Sequence, residues 1–369
     1  PSGVVKIYGD NIISLEANGR FNEDKSDIPN AMTAIDVTNA KDLTELLLNV
    51  NKLNKLDISK NGKLQKLNIA NNQFESIDLS AQTELTTFTA NDNQLTALDL
   101  SKNTKLTTVM LTNNQLSTLD FTNNPLVKTF TVLNNQLTDV TIGANTAKGH
   151  TFQFGGNKLT SFSLAEVADL ATSFVYLRDN DLTSLTIPAA VRRIWVDGNA
   201  FTLPQLYELK SQATQTFTYA TTYTKELAQQ PYAIDATSTT GTIDLSALAK
   251  LGETATVFTW KKADGTALVE GTDYTVADGK FTFLKPAENI HCEMTNAQLD
   301  AFTPEQPYTT TVTTVTAADG ISTLATEKAP ARVEYYGVSG ARTTTPNKGI
   351  YLKRSVDANG TVTTQKVRY

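Results

Sequence analysis

The sequence predicts a mainly β protein: a solenoid of short stacked coils, then a β-sandwich, then a small β region at the C-terminus. Three observations lead there. An asparagine recurs at Asn51, Asn72, Asn93, Asn114, Asn135, Asn157, Asn180 and Asn199, spaced by twenty-one residues four times and then by twenty-two, twenty-three and nineteen. Apolar residues stand three and five positions before each Asn and usually two after it, as expected of coils that bury apolar side chains against their neighbours. From about residue 227 the repeat gives way to Thr-rich alternating segments separated by turn signals, the pattern of an antiparallel sandwich.

The elements follow in order. Residues 4–15 (VVKIYGDNIISL) contain strand-like stretches that would cover the first coil, and Asn30, Met32, Ile35 and Val37 fit a degenerate first coil in register with Asn51. Within one unit Leu64, Leu67 and Ile69 alternate with Gln65, Lys66 and Asn68, the period-two pattern of a short strand, before a turn at Asn71 and Asn72. A side-chain amide both donates and accepts, so each repeated Asn is suited to backbone groups left unpaired where the coil bends. After each Asn comes a second inward column: Leu53, Phe74, Leu95, Leu116, Leu137, Leu159, Leu182 and Phe201. A third runs Leu56, Ile77, Leu98, Leu119, Val140, Phe162 and Leu185. In residues 203–212 (LPQLYELKSQ), Leu203, Leu206 and Leu209 are at helical spacing with Pro204 in the tolerated first turn, which predicts a capping helix.

Turn signals at Ala263-Asp264-Gly265 and Ala277-Asp278-Gly279 punctuate the sandwich, with Phe258 and Trp260 on one strand and Ile290, Cys292 and Met294 on another. The alternation from Thr309 to Val315 reads as its last strand. The final stretch reads as short strands around Gly337, Gly340, Gly349 and Gly360.

Residues 95–106 (LTALDLSKNTKL) and 106–116 (LTTVMLTNNQL) resemble the leucine-rich repeats of bacterial surface proteins, above all the internalin-like branch with twenty-one-residue repeats. Some relatives in that branch carry a cysteine column inside the coils. The matching positions here are Leu48, Ile69, Ala90, Leu111, Val132, Phe154, Leu177 and Val196, a mixed apolar core. The Trp260 and Cys292 strands resemble those of immunoglobulin-like domains, with Cys292 unpaired and Ile290 where many relatives have Tyr. Residues 333–342 (VEYYGVSGAR), 348–355 (KGIYLKRS) and 364–369 (TQKVRY) resemble the sorting region of exported Bacteroidetes proteins, which implies recognition by an outer-membrane secretion and attachment system. A plain terminal hairpin domain is the other reading. The expected division is an N-terminal cap over 1–29, a leucine-rich repeat solenoid with its helix over 30–220, an immunoglobulin-like sandwich over 221–318 and the sorting-like β region over 319–369. The resemblance implies an extracellular or cell-surface location. The chain opens at Pro1 without a starting Met, so any export signal or lipid anchor is expected to have been removed or to lie outside this sequence.

A net charge of -6 argues against nucleic-acid binding, which normally needs a basic patch. No apolar run approaches the roughly twenty residues of a membrane span. The lone Cys292 excludes an intrachain disulfide. Chemistry is thin: His150 and His291 are the only histidines, too few for a zinc set. His291 and Cys292 are adjacent on a strand and point to opposite faces, so they do not form a nucleophilic pair. His150 is expected at the surface. Asp36, Asp57, Asp78, Asp99 and Asp120 recur every twenty-one residues, each with Ser or Thr two positions on. Bonding to the turn backbone is the stronger reading of that column, with cation binding the alternative. No catalytic residues, metal or cofactor are expected, and the chain is expected to be a non-enzymatic monomer.

The outward residue of each predicted concave strand reads Leu47, Asn68, Thr89, Met110, Thr131, Gln153, Tyr176 and Trp195. The late units add Phe174, Arg178, Arg193 and Asp197 beside Tyr176 and Trp195. Aromatics and Arg dominate interface energetics, which makes these six residues the candidate ligand-binding site. Packing of the cluster against the helix or the sandwich is the structural alternative. A protein partner held on the concave face is the first reading of function, and capture of a surface glycan for carbohydrate utilisation is the alternative.

Overall fold

The computed structural model describes residues 5–6, 11–19, 32–188, 190–210, 212–218, 229–316, 332–337, 342–343, 345, 350–356 and 362–368. The chain forms two compact units, Pro1–Ile234 with Ala247–Thr259 and His291–Thr311, and Asp235–Ser246 with Trp260–Ile290 and Val312–Tyr369. The first contains a leucine-rich repeat solenoid. Its concave sheet has ten parallel strands, from Ser14–Glu16 through Glu45–Leu47, Lys66–Asn68, Thr87–Thr89, Thr108–Met110, Thr129–Thr131, Thr151–Gln153, Phe174–Tyr176 and Val191–Trp195 to Ala213–Thr218.

The register repeats because each coil places the same residues inward. Leu46, Leu67, Phe88, Val109, Phe130, Phe152, Val175 and Ile194 are fully buried on consecutive strands. So are the column from Leu48 to Val196 and the column from Leu53 to Phe201. Each such side chain contributes on the order of 2 kcal/mol by leaving water. In the later coils the core turns aromatic, with the Phe130 and Phe152 rings stacked at 5.0 Å and Phe121 edge-on to Phe130 at 4.9 Å.

The third column needs correcting. Leu56, Ile77, Leu98 and Leu185 are only half-buried, and the closed position on the convex side is two residues later, at Ile58, Leu79, Leu100, Phe121, Ile142 and Leu164. Leu119, Val140 and Phe162 of the expected column are buried as expected, so in those coils both residues of the pair are closed.

The Asn ladder acts as its chemistry suggests. Asn72 Nδ2 donates to the carbonyls of Ile69 in its own coil and Leu48 in the preceding one, at 3.0 and 2.9 Å, while its Oδ1 accepts from Leu53 N–H at 2.9 Å. Asn93, Asn114, Asn157, Asn180 and Asn199 repeat these links. The residue before each ladder Asn is left-handed: Val50, Asn71, Asp92, Asn113, Asn134, Gly156, Asp179 and Gly198 have φ between 53° and 71°. Asn, Asp and Gly adopt that conformation most readily, which explains the residue types there; Val50, being β-branched, is the exception. A second amide ladder lies on the convex side, where Asn61, Gln82, Asn103 and Asn124 are buried and donate to carbonyls of the preceding coil, as Asn61 does to Val37 and Ala40.

At the front, Val5–Lys6 pairs with Ile35–Asp36 and Ser14–Glu16 pairs with Glu45–Leu47. Met32 N–H donates to Asn51 Oδ1 just as Leu53 does to Asn72, so the first coil is in register from Met32 onward; Asn30 lies outside the described residues. At the rear, the helix Leu203–Lys210 buries Leu203, Leu206 and Leu209, and its Lys210 ammonium donates to the Gln298 carbonyl. In the same unit Tyr308 Oη donates to the Phe201 carbonyl at 3.0 Å, and Cys292 and Met294 are fully buried.

The second unit holds an antiparallel sheet of Thr242–Asp244, Lys280–Phe283 and Tyr274–Ala277. Asp278 and Gly279 connect the last two with φ of 50° and 77°, the two left-handed residues of a tight hairpin turn. Trp260 is fully buried, edge-on to Phe281 and Phe283. Thr237–Ser238 pairs in parallel with Thr313–Val315. The expected strand from Thr309 to Val315 is divided, with Tyr308–Thr309 and Thr313–Val315 as separate strands. A four-stranded sheet runs in the order Arg342–Thr343, Arg332–Gly337, Ile350–Val356, Val362–Arg368. Gly340, Gly349 and Gly360 lie outside the described residues.

Candidate functional site

The outward concave positions are mixed, with Thr87, Thr89, Thr108, Thr129, Thr131 and Thr151 among Glu45, Leu47, Lys66, Asn68, Met110 and Gln153, and turn aromatic and basic only in the last coils. Phe174–Tyr176 pairs with Val191–Trp195 so that Phe174 stands beside Arg193 and Tyr176 beside Trp195. Intervening Val175 and Ile194 point inward, fully buried, and lock the strands that carry the outward groups. Trp195 lies parallel to Phe174 at 6.3 Å and tilted to Tyr176 at 6.0 Å. Arg178 lies 5.6 Å from the Tyr176 ring. Gly155, on the preceding coil, leaves room for that ring: a Cβ there would come within 2.8 Å of Tyr176 Cε1 and 3.1 Å of the Arg178 carbonyl.

Phe174, Tyr176, Arg178, Arg193 and Trp195 are all half-exposed, on one face. Asp197 differs from the expectation. It is completely buried and accepts a hydrogen bond and ion pair from Arg178 Nε, so it anchors that guanidinium rather than facing a ligand. Burial pushes its carboxyl above the ordinary value, against the pull of Arg178. The sequence reading missed Arg192. Its guanidinium lies 5.1 Å from the Phe174 ring. No residue pattern marked it: at strand entry in most coils two consecutive amides donate to one carbonyl of the coil before, as Gln65 and Lys66 do to Thr44 and Arg192 and Arg193 do to Ser173. That turns both arginines toward Phe174.

His150 is also a correction. It is fully buried, with Nε2 at 3.1 Å from Asn145 Oδ1, Nδ1 at 3.3 Å from Ser173 Oγ, and the ring stacked on Phe152. Burial lowers its pKa, partly opposed by Asp169. Equivalent entry positions Gln65 and Lys128 are exposed, which is why the repeat pattern pointed to the surface.

The Asp column bonds its own turns. Asp36, Asp57, Asp78, Asp99 and Asp120 each accept through Oδ1 from the N–H of the Thr or Ser two residues on, at 2.8–3.0 Å. The Ser bonds hold Asp57, Asp78 and Asp99 below the ordinary carboxylate value. Among the described residues no group of three or more His, Cys, Asp or Glu is placed to hold a metal ion. His291 and Cys292 face differently, the first partly exposed and the second buried. A separate polar cleft is bordered by Asp181, Gln230, Pro231 and Pro307, but its Gln230 amide is already bonded to Asp181 and the Asn180 carbonyl. No helix among the described residues is long and apolar enough to cross a membrane.

No family model matches the chain, and no curated protein matches it. Among solved structures it is similar to the functional domain of InlJ from Listeria monocytogenes, at 14% identity and a TM-score of 0.33, over 77% of this chain and 79% of that one. It is similar also to the leucine-rich repeat domain of APL1B, at 19% identity and a TM-score of 0.41, over 62% and 71%. A third is the internalin inlF of Listeria monocytogenes, at 16% identity and a TM-score of 0.24, over 56% and 80%.

Proposed function

We propose that this chain is a non-catalytic recognition protein, extracellular or on the cell surface, that holds a protein partner on the concave sheet at Phe174, Tyr176 and Trp195. The observation that carries the reading is the half-exposed cluster of three aromatics, Trp195 parallel to Phe174 and tilted to Tyr176, with three arginines at the last coils of the concave face. Large rigid rings and guanidinium groups supply most binding energy at protein interfaces, because they bury much area at little entropic cost and keep a polar handle. The other notable polar constellations, the two amide ladders and the Asp column, are engaged with backbone and supply structure. The sequence resemblance to leucine-rich repeat surface proteins supports the location. It also supports reading the sheets beyond the helix as an immunoglobulin-like spacer and the last one as a Bacteroidetes-type sorting region. A monomer that acts in adhesion fits these roles.

A glycan ligand is the second reading, favoured by the aromatic faces of Trp195 and Tyr176, on which pyranose rings stack. The test is a binding screen against arrays of extracellular proteins and glycans, run with the native chain and with a Tyr176→Ala, Trp195→Ala double variant. A protein hit lost in the variant at unchanged melting temperature supports the first reading, and a glycan hit lost in the same way supports the second. Hits that survive the double substitution would remove the site from this face.

A further inference from the structure

The cluster carries a charge preference, and the inference drawn from it rests on the recognition reading above. The chain as a whole is acidic, with a net charge of -6, yet Arg178, Arg192 and Arg193 gather around the rings of this face. Asp197 is spent on Arg178, and Asp179 also acts on that guanidinium. Arg193 stands differently. Its guanidinium lies 6.0 Å from the Phe174 ring, its Nε is buried without a hydrogen-bond partner, and among the described residues it has no ion pair. A guanidinium stacked on an aromatic ring is held in one plane, with its outer N–H fork left to meet a carboxylate edge-on.

The spacing favours a polypeptide. Arg193 and Trp195 are outward neighbours two residues apart on one strand, so their side chains are separated by about 7 Å along it. An extended peptide repeats its own same-face side chains at that interval, so an acidic residue over Arg193 sets the next same-face residue over Trp195. We propose that the Arg193–Trp195 strand of the concave sheet binds an extended acidic segment of a partner protein in which Asp or Glu alternates with apolar residues. The carboxylate accepts from Arg193, with Arg192 adjacent, and the apolar side chain lies on the Trp195 ring.

The test uses the intact chain and its own fluorescence. Trp195 is half-exposed and the second tryptophan, Trp260, is fully buried, so a soluble probe on this face changes the Trp195 signal. The probes are a blocked twelve-residue peptide of alternating Glu and Leu, its Lys and Leu counterpart, and polygalacturonate as a carboxylated sugar. The expected result is a saturable change with the acidic peptide alone, weakened by added salt as surface charge pairing is, and at least about tenfold weaker in an Arg192→Ala, Arg193→Ala variant, the loss of roughly 1.4 kcal/mol. The salt and probe comparisons on the native chain stand even if that variant folds poorly. No saturable change with the acidic peptide, or equal response to the basic one, overturns the proposal; response to polygalacturonate alone assigns the site to a carboxylated sugar instead. Array binding that still depends on Tyr176 and Trp195 while the acidic peptide fails would leave the recognition reading standing without its charge preference.

Discussion

Replacing Asn114 with alanine removes one rung of the buried ladder at the centre of the solenoid. The amide donates to the carbonyls of Ala90 at 2.9 Å and Leu111 at 3.1 Å, and its Oδ1 accepts from Leu95 N–H at 3.0 Å. The side chain is 7% exposed, so water cannot readily replace those bonds. Alanine leaves the Leu95 N–H without a partner, while the Ala90 and Leu111 carbonyls each lose one donor but still accept from Asn93 and Asn135 Nδ2. At about 1 to 3 kcal/mol for a buried group left unsatisfied, the loss comes to about 1 to 3 kcal/mol. Urea unfolding followed by circular dichroism measures it, with the slope of the transition compared between variants, because coils that melt separately would lower the slope as well as the midpoint. Gln115→Ala, at the exposed neighbouring position, is the control and is expected within about 0.5 kcal/mol of the native chain. A loss below about 1 kcal/mol for Asn114→Ala would refute the account of the ladder as the main satisfier of the coil's backbone.

Val50→Asn should raise stability by about 1 kcal/mol, since it relieves a β-branched residue at φ 61°; an unchanged or lower thermal midpoint counts against strain there. Gly155→Ala should disturb Tyr176 while leaving the fold intact, seen as a shift of Trp195 fluorescence, because the new Cβ meets the Tyr176 ring; an unaltered spectrum would mean the ring has room to spare. His150 is buried with a lowered pKa, so the unfolded chain takes up its proton first as pH falls. Stability is therefore lost as pH drops below the ordinary histidine value of about 6.5 toward the folded value. In His150→Gln the decline between about pH 6.5 and 5 should shrink, and an identical profile would place the acid sensitivity elsewhere. Burial pushes the Cys292 thiol up, so a disulfide reagent should label it only at the rate of unfolding, and fast labelling of the native chain would contradict its burial.

Much of the solenoid was readable because its period constrains residues on every coil. The inward columns, the Asn ladder and the helix at Leu203–Lys210 each repeat one physical requirement, and repetition makes such requirements visible in a single sequence. The convex amide ladder was less visible although Asn61, Asn103 and Asn124 keep the period, because Gln82 interrupts it with a longer amide that does the same job. His150 was misjudged because the coils around it are longer than twenty-one residues, and a position open in earlier coils is closed there by Ser173 and Asn145. In the candidate site, alternation along the strands identified Phe174, Tyr176, Arg193 and Trp195. Alternation also placed Asp197 outward with Arg178, whereas the shallow end of the sheet folds the carboxylate under the guanidinium. Arg192 escaped because strand entry breaks the period of two, a backbone effect that residue type does not record.

The Asn72, Asn93 and Asn114 ladder bonds either stay within a coil or join it to the one before, and none reaches further. A coil can therefore be duplicated or deleted as a whole, and each surviving junction still finds the partners it had. Growth by one coil would carry the Trp195 face about 4.8 Å away from the first strand while leaving its chemistry untouched. Reach and recognition are thus separately adjustable in this protein: descendants could explore distance in discrete steps at little risk to the fold, while substitutions confined to the last two coils altered what is held at the end.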